Sequence, residues 1–295
     1  MVWQKDFPAS SANLGPGFDS IGIAVDRYLT VTARPAEHWQ VDFETDFMAG
    51  LPTDETNLVV AVALETAARY GKTLAPLHLT MKSQIPLTHG MGSSASAIVA
   101  GIELANDFAD LGLSTFDKVR LASAKEGHPD NVGACITGGL FVGYYEPATD
   151  QLFYQVGNLE GVGVIISTPA YELSTAAARS VLPEVYSKPD SIGQNALTSV
   201  MLMAMMQGDY PTMGQLMMQD KFHEPYRQSL IAEFPAVKAT ALEKGAYATV
   251  ISGAGPSILT LCPQERMTDI LATLEASVDC QHQVVSVLPA LADKS

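Results

Sequence analysis

Charge and cysteine are what this sequence has least of. Only 17% of its 295 residues are Asp, Glu, Lys or Arg, too few for a disordered chain or a long solvated coiled coil. Basic side chains are the scarcer kind, 17 against 32 acidic ones, for a formal net charge of −15. A chain so poor in cations is not built to lie along nucleic acid or an anionic membrane. The deficit leaves room for a small phosphorylated ligand, because a local cradle can be positive within a negative molecule. Cys135, Cys262 and Cys280 are the only cysteines. None stands in a C-x-x-C pair or at zinc-ligand spacing from a histidine, so they read as reduced thiols of a cytoplasmic protein. No apolar run reaches the roughly 18 residues that a membrane span needs. The opening MVWQKDFPASSANLGPG lacks the basic-then-apolar order of a secretion signal.

What is present is ample apolar material, 47% of the chain, enough for a sizeable core. Strand-like and helix-like stretches alternate. YLTVTARP, WQVDFET, LHLTMKSQIP and GGLFVGYYEP read as strands. TNLVVAVALETAARYG reads as a helix with Thr56 as its N-cap and Gly71 as its stop. SSASAIVAGIELANDFADLG and STFDKVRLASAKEG read as two more, the second capped by Ser114 and stopped by Gly127. After GVGVIIST come helical stretches over 174–182, 191–206, 211–220 and 235–244. Two apolar runs around a glycine-rich break, YATVISGAGPSILTLCP, then lead to a helix over 264–276 and a last strand, HQVVSVLP. No repeat or low-complexity tract is visible. The pattern predicts an α+β chain in two domains, 1–152 and 153–295. The methionines of MLMAMMQGDYPTMGQLMM read as helix core, with a pliable binding or dimer surface as the alternative.

The stretch PLTHGMGSSASA, 86–97, carries the chemistry. Gly71-Lys72-Thr73 cannot be a P-loop, because the required first glycine falls at Thr66. GMGSSA fits the spacing of a dinucleotide fingerprint, but SQIPLTH separates it from the preceding strand and Pro86 interrupts any ladder. A third reading is a loop whose amides wrap a triphosphate, with the helix N-terminus aimed at it. Gly90 and Gly92 would permit close approach, and Ser93 and Ser94 would add hydroxyls in the first turn, where free N–H groups favour an anion. A Ser-capped helix after a glycine turn fits the loop alone equally well.

Two further glycine-rich stretches, PASSANLGPGFDSIGIAV and ISGAGPSILTL, flank this one early and late. Three such stretches in this order resemble the motifs of the GHMP small-molecule kinase superfamily. IPLTHGMGSSAS is similar to its ATP-binding signature. SANLGPGFD, EGHPDNV, LSTAAARSVLP and HEPYR look like the homoserine kinases within it. The resemblance spans nearly the whole chain. One departure is Val132-Gly133-Ala134-Cys135, where such kinases commonly have Val-Ala-Pro. The resemblance implies a ribosomal S5 domain 2-like N-terminal domain that binds ATP and a ferredoxin-like C-terminal domain. It implies ATP with Mg²⁺, L-homoserine as acceptor and a possible homodimer.

By the same resemblance, the loop Pro86, Leu87, Thr88, His89, Gly90, Met91, Gly92, Ser93, Ser94, Ala95, Ser96 grips ATP. Ser94 and Glu126 hold the metal, although some members place that carboxylate two turns earlier, where this chain has Arg120. Asn13 holds the acceptor hydroxyl and Asp19 the amine, and with Ser94 and Glu126 they make up the catalytic set. Arg179, one turn after Thr175, and Arg227 clamp the carboxylate, for which a planar guanidinium is suited. His128 is a substrate contact or a turn residue rather than a base. Gly253 and Gly255 of SGAGPS close the site between the domains. Mevalonate-type kinases, whose acceptor has no amine, and a non-catalytic sensor on the same fold are the alternatives.

Overall fold

A computed structural model describes residues 2–291. The first half is a six-stranded sheet with four helices. Its strands are β1 (Trp3–Ala12), β2 (Ile21–Pro35), β3 (Gln40–Phe43), β4 (Leu77–Ser83), β5 (Leu140–Glu146) and β6 (Gln151–Gly157). They run in the order β3-β4-β2-β5-β6, with β1 also paired to β2. The helices are α1 (Leu58–Arg69), α2 (Ser93–Phe108), α3 (Thr115–Glu126) and α4 (Asp130–Thr137). The second half opens with β7 (Val162–Thr168). It continues through α5 (Thr175–Ser180), α6 (Lys188–Gln207), α7 (Tyr210–Met217), α8 (Glu224–Arg227) and α9 (Phe234–Glu243). It closes with β8 (Ala248–Ile251), β9 (Ile258–Pro263), α10 (Met267–Ser277) and β10 (Gln281–Val285). These four strands form an antiparallel sheet in the order β10-β7-β9-β8, the ferredoxin-like arrangement.

Local chemistry sets the boundaries that position the site. α3 begins at a capping box, Ser114 and Asp117 each bonding the other's backbone, and ends at Gly127 with φ 93°. The N-cap of α1 is Asn57, whose side chain accepts from Val59 N, and not Thr56, whose hydroxyl donates to Asp54. β1 was not expected as a strand: Pro8 interrupts it, and its register on β2 shifts between Pro8 and Ala9. α4 was also unexpected. It contains Gly133, and a Cβ there would lie 2.3 Å from the Phe141 ring, so the departure at 132–135 fits a close helix–strand contact. β6 pairs with β5 from Gln151 to Gly157, so a division at 152/153 would cut a strand of the first sheet.

One hydrophobic cluster joins residues of both sheets, from Phe7, Ile23 and Leu79 to Ile166, Val250 and Leu261. Met201, Met205, Met213 and Met217 are buried, as the helix-core reading expects, while Met203 and Met206 are exposed. After β10 the chain returns to the first sheet, where Val287 bridges Val25 and Leu288 N donates to Ala24 O. Among the described residues no helix is long and apolar enough to cross a membrane.

Candidate active site

The N-terminus of α2 is the base of the site. Gly92 occupies the N-cap with φ 71°, and no side chain caps the helix. The Ser-capped alternative therefore fails: Ser93 and Ser94 lie inside the first turn, and both line a cavity of about 500 Å³. Leu87, Thr88, His89, Gly90, Gly92, Ser93 and Ser94 line that cavity. Met91, Ala95 and Ser96 are buried in packing instead, the Ser96 hydroxyl donating to Pro8 O, and Pro86 is not on the wall.

Gly90 and Gly92 serve the scaffold more directly than a ligand. A Cβ on Gly92 would meet Ser10 Oγ at 2.1 Å, and one on Gly90 would meet Ser252 O at 2.3 Å. The loop after β8 is packed against this one. Ser252 Oγ donates to Gly90 O (2.7 Å), Ser257 N to His89 O (3.3 Å) and Gly253 N to Ala12 O (3.1 Å). Gly253 reaches the cavity wall, whereas Gly255 faces Ile231 and does not.

Two oxygen donors converge beside α2. Ser94 Oγ lies 3.3 Å from Glu126 Oε2, which the end of α3 delivers. Burial raises the Glu126 pKa; His128, and the hydrogen bond from Ser94, oppose that rise. Arg120, the other position considered for the metal carboxylate, is engaged elsewhere and pairs with Asp150 at 2.5 Å. His128 Nδ1 bonds Asp130 Oδ1 at 2.6 Å. Burial alone would lower the His128 pKa, but the Asp130 bond and the charges of Asp130, Asp19 and Glu126 raise it to about 9. His128 is thus a cation at neutral pH.

The adjoining wall of the cavity is built by the β1–β2 turn, α5 and α8, and brings Asp19 within 4.8 Å of His128. Asn13, at φ 75°, donates to Gly253 O (2.8 Å) and accepts from Asp19 N (3.0 Å). One amide hydrogen and one oxygen lone pair remain to it. Asp19 and Arg179 form a two-point pair, Nη2–Oδ1 2.8 Å and Nη1–Oδ2 3.1 Å. Arg227 is only 2% exposed. Its Nε donates to Ala178 O and its Nη1 to Gly253 O, both at 3.1 Å, and no carboxylate of the described residues lies within 4 Å of it. Burial and the neighbouring Arg179 lower its pKa to about 10, so it stays charged.

Sequence reasoning missed the support of Arg227. His223 Nε2 faces Gly15 O, which can only accept, so that nitrogen carries the hydrogen; its bare Nδ1 faces Arg227 Nη1 at 3.4 Å. Burial lowers the His223 pKa, consistent with a neutral ring. Asp220 fixes this turn by accepting from the backbone N–H groups of Phe222, His223 and Glu224. The Phe18 ring lies 5.2 Å from the Arg227 guanidinium, 5.6 Å from that of Arg179, and stacks on His223. Also missed was an apolar wall of Leu29, Met48, Leu51, Pro52, Leu58 and Met81, brought together from separate segments of the first half. The GFD and HEPYR strings hinted at the first group. No local pattern marked the second.

The chain is similar to known proteins over nearly its whole length. The model for GHMP kinases N terminal domain matches residues 57–139 and that for GHMP kinases C terminal matches 201–279. A homoserine kinase of Staphylococcus epidermidis is 44% identical over 97% of this chain and 94% of its own. The chain belongs to the homoserine kinase family of GHMP kinases. A family member from Staphylococcus aureus strain MSSA476 is 43% identical over 97% of this chain and 95% of its own. A crystal structure of homoserine kinase from Cytophaga hutchinsonii superposes with a TM-score of 0.86 at 28% identity, covering 98% of this chain and 96% of that one. Family membership agrees with the two-sheet architecture and with the expected kinase fold.

Proposed function

We propose that this chain phosphorylates the side-chain hydroxyl of L-homoserine with ATP, giving O-phospho-L-homoserine for threonine biosynthesis in the cytoplasm. The observation that carries the reading is the buried, charged Arg227 with no carboxylate of the described residues within 4 Å, in the same cavity as an Asp–Arg pair and an uncapped helix N-terminus. A zwitterionic hydroxy acid supplies the missing counter-ion. Its carboxylate goes to Arg227 and Arg179, its amine to Asp19, and its hydroxyl to the free amide hydrogen of Asn13. The 500 Å³ cavity is of the size that takes a nucleotide and a small acceptor.

The triphosphate lies on the first-turn amides of α2, where the helix dipole favours an anion. The apolar wall takes the base. Ser94 and Glu126, two hard oxygen donors side by side, suit Mg²⁺ and would hold it. When bound, Mg²⁺ neutralises charge on the phosphate oxygens. Charged His128 adds a positive group near the same place. The transition state of phosphoryl transfer is loose, so early removal of the acceptor proton is not needed. Catalysis then rests on positioning and electrostatic stabilisation, with Asp19 as anchor and no dedicated base.

The test is ADP release with L-homoserine, mevalonate, galactose and L-serine. Homoserine should exceed the others in kcat/KM by at least about 10³-fold, because each competitor leaves a buried charge unmatched or its hydroxyl out of reach. Over a Mg²⁺ titration, Glu126→Gln should raise the metal concentration needed for half-maximal rate by at least about tenfold. Comparable turnover of mevalonate, or a Mg²⁺ requirement unchanged in Glu126→Gln, would defeat the assignment.

A further inference from the structure

The two residues given to opposite ends of the acceptor are, in the free chain, each other's partner. Both oxygens of Asp19 and both terminal nitrogens of Arg179 are used in their pair, at 2.8 and 3.1 Å. The pair is about one-third exposed and faces the cavity. Asp19 cannot easily follow a moving partner. Its backbone sits at φ 55°, a left-handed conformation that is uncommon for a non-glycine residue, and Asn13 holds its N–H. Arg179 rides on the six-residue α5, with Arg227 bonded to the neighbouring Ala178 O.

We propose that the Asp19–Arg179 pair is a charge latch that selects acceptors carrying an ammonium and a carboxylate together. The inference rests on the homoserine reading above. Opening the latch separates two opposite charges. A zwitterion at homoserine spacing gives each of them a new partner. An acceptor with only an amine takes Asp19 but leaves Arg179 beside Arg227 without the carboxylate that was bonded to it. An acceptor with only a carboxylate takes the arginines and costs Asp19 the two-point bond to Arg179, leaving it only the looser neighbour His128, within 4.8 Å. The charge that is left unpaired therefore discriminates as strongly as the new ion pair does.

The consequence is that removing one half of the latch should help the wrong substrate. The full chain, Arg179→Gln, Arg179→Ala and Asp19→Asn are assayed with L-homoserine, 3-aminopropan-1-ol and 4-hydroxybutyrate, and the affinity of each compound is measured by calorimetry. Arg179→Gln and Arg179→Ala should lose kcat/KM on homoserine yet gain about two- to fivefold on 3-aminopropan-1-ol, the worth of a part-exposed ion pair. Asp19→Asn should show the mirror image, a gain of the same size on 4-hydroxybutyrate. If every variant loses with every acceptor, in both rate and affinity, the pair stays closed and binds as one body, and the latch is refuted. If the parent turns over none of the three, the homoserine reading falls, while the affinities still judge the latch. Failure of all three compounds to bind refutes both.

Discussion

Glu224 shows how much one buried side chain contributes to the site without reaching it. Its Oε2 accepts from Ile251 N at 3.0 Å and its Oε1 lies 3.3 Å from Lys238 Nζ. It thereby ties the turn that carries Arg227 to the end of β8, just before the loop that packs on Gly90. Burial raises its carboxyl pKa to about 7, against a partial opposing effect of Lys238. The folded state therefore holds this proton where the unfolded chain, near 4.3, has lost it. Stability from this group is full below about pH 4.3 and is lost as pH rises through about 7. Glu224→Gln keeps an acceptor for Ile251 N and removes the titration. Urea midpoints at pH 5 and pH 8 should fall less between the two values in Glu224→Gln than in the parent. An identical drop in both would mean that Glu224 is ionised across the range.

At the scale of elements, the aim of α2 depends on Gly92. A side chain there points into β1, toward Ser10, and not into the phosphate path. Gly92→Ala should therefore weaken folding before it blocks nucleotide. Gly112 is the control, since it also has positive φ (64°) but meets nothing within 4 Å. Gly112→Ala should cost about 1–2 kcal/mol from backbone conformation alone. Gly92→Ala should cost about 1–3 kcal/mol more from overpacking, read from denaturant unfolding. Equal costs would remove the Ser10 contact from the account. These two loops also mark what the sequence makes legible. α3 could be read because its capping box and terminal glycine are local. β1 could not, because Pro8 breaks its alternation, and α4 could not, because Gly133 answers to the ring of Phe141 on the following strand and not to the helix pattern of its own segment. The string SGAGPS was legible as glycine-rich. Its bond from Ser252 to Gly90, 162 residues away, was not. Asp19 and Arg179 were singled out by their resemblance to family motifs, but that they face each other is a tertiary fact.

At the scale of the whole molecule, the two sheets are not separate bodies. A single apolar cluster runs through both, and the segment after β10 is laced back onto β2. Swinging one sheet away from the other would uncover that cluster, so a local movement at the acceptor site costs less when it is made by something smaller. α5 is the candidate: the hydrogen bonds Arg179–Asp19 and Arg227–Ala178 O tie it to the rest through residues of the acceptor site itself, and Leu173 N–Thr88 O holds the segment just before it. The distribution of these ties has a kinetic consequence. Backbone amides of α5 should exchange hydrogen with solvent by local opening, well ahead of those in α2, whose exchange should need a far larger disruption of the fold. L-Homoserine should slow exchange in α5 by binding where the ties are, whereas a nucleotide alone should leave it nearly as fast as in the free chain. Simultaneous protection of α5 and α2 by either ligand would instead indicate a movement of the whole second half. If α5 alone is protected, its six residues set the pace at which acceptor enters and product leaves.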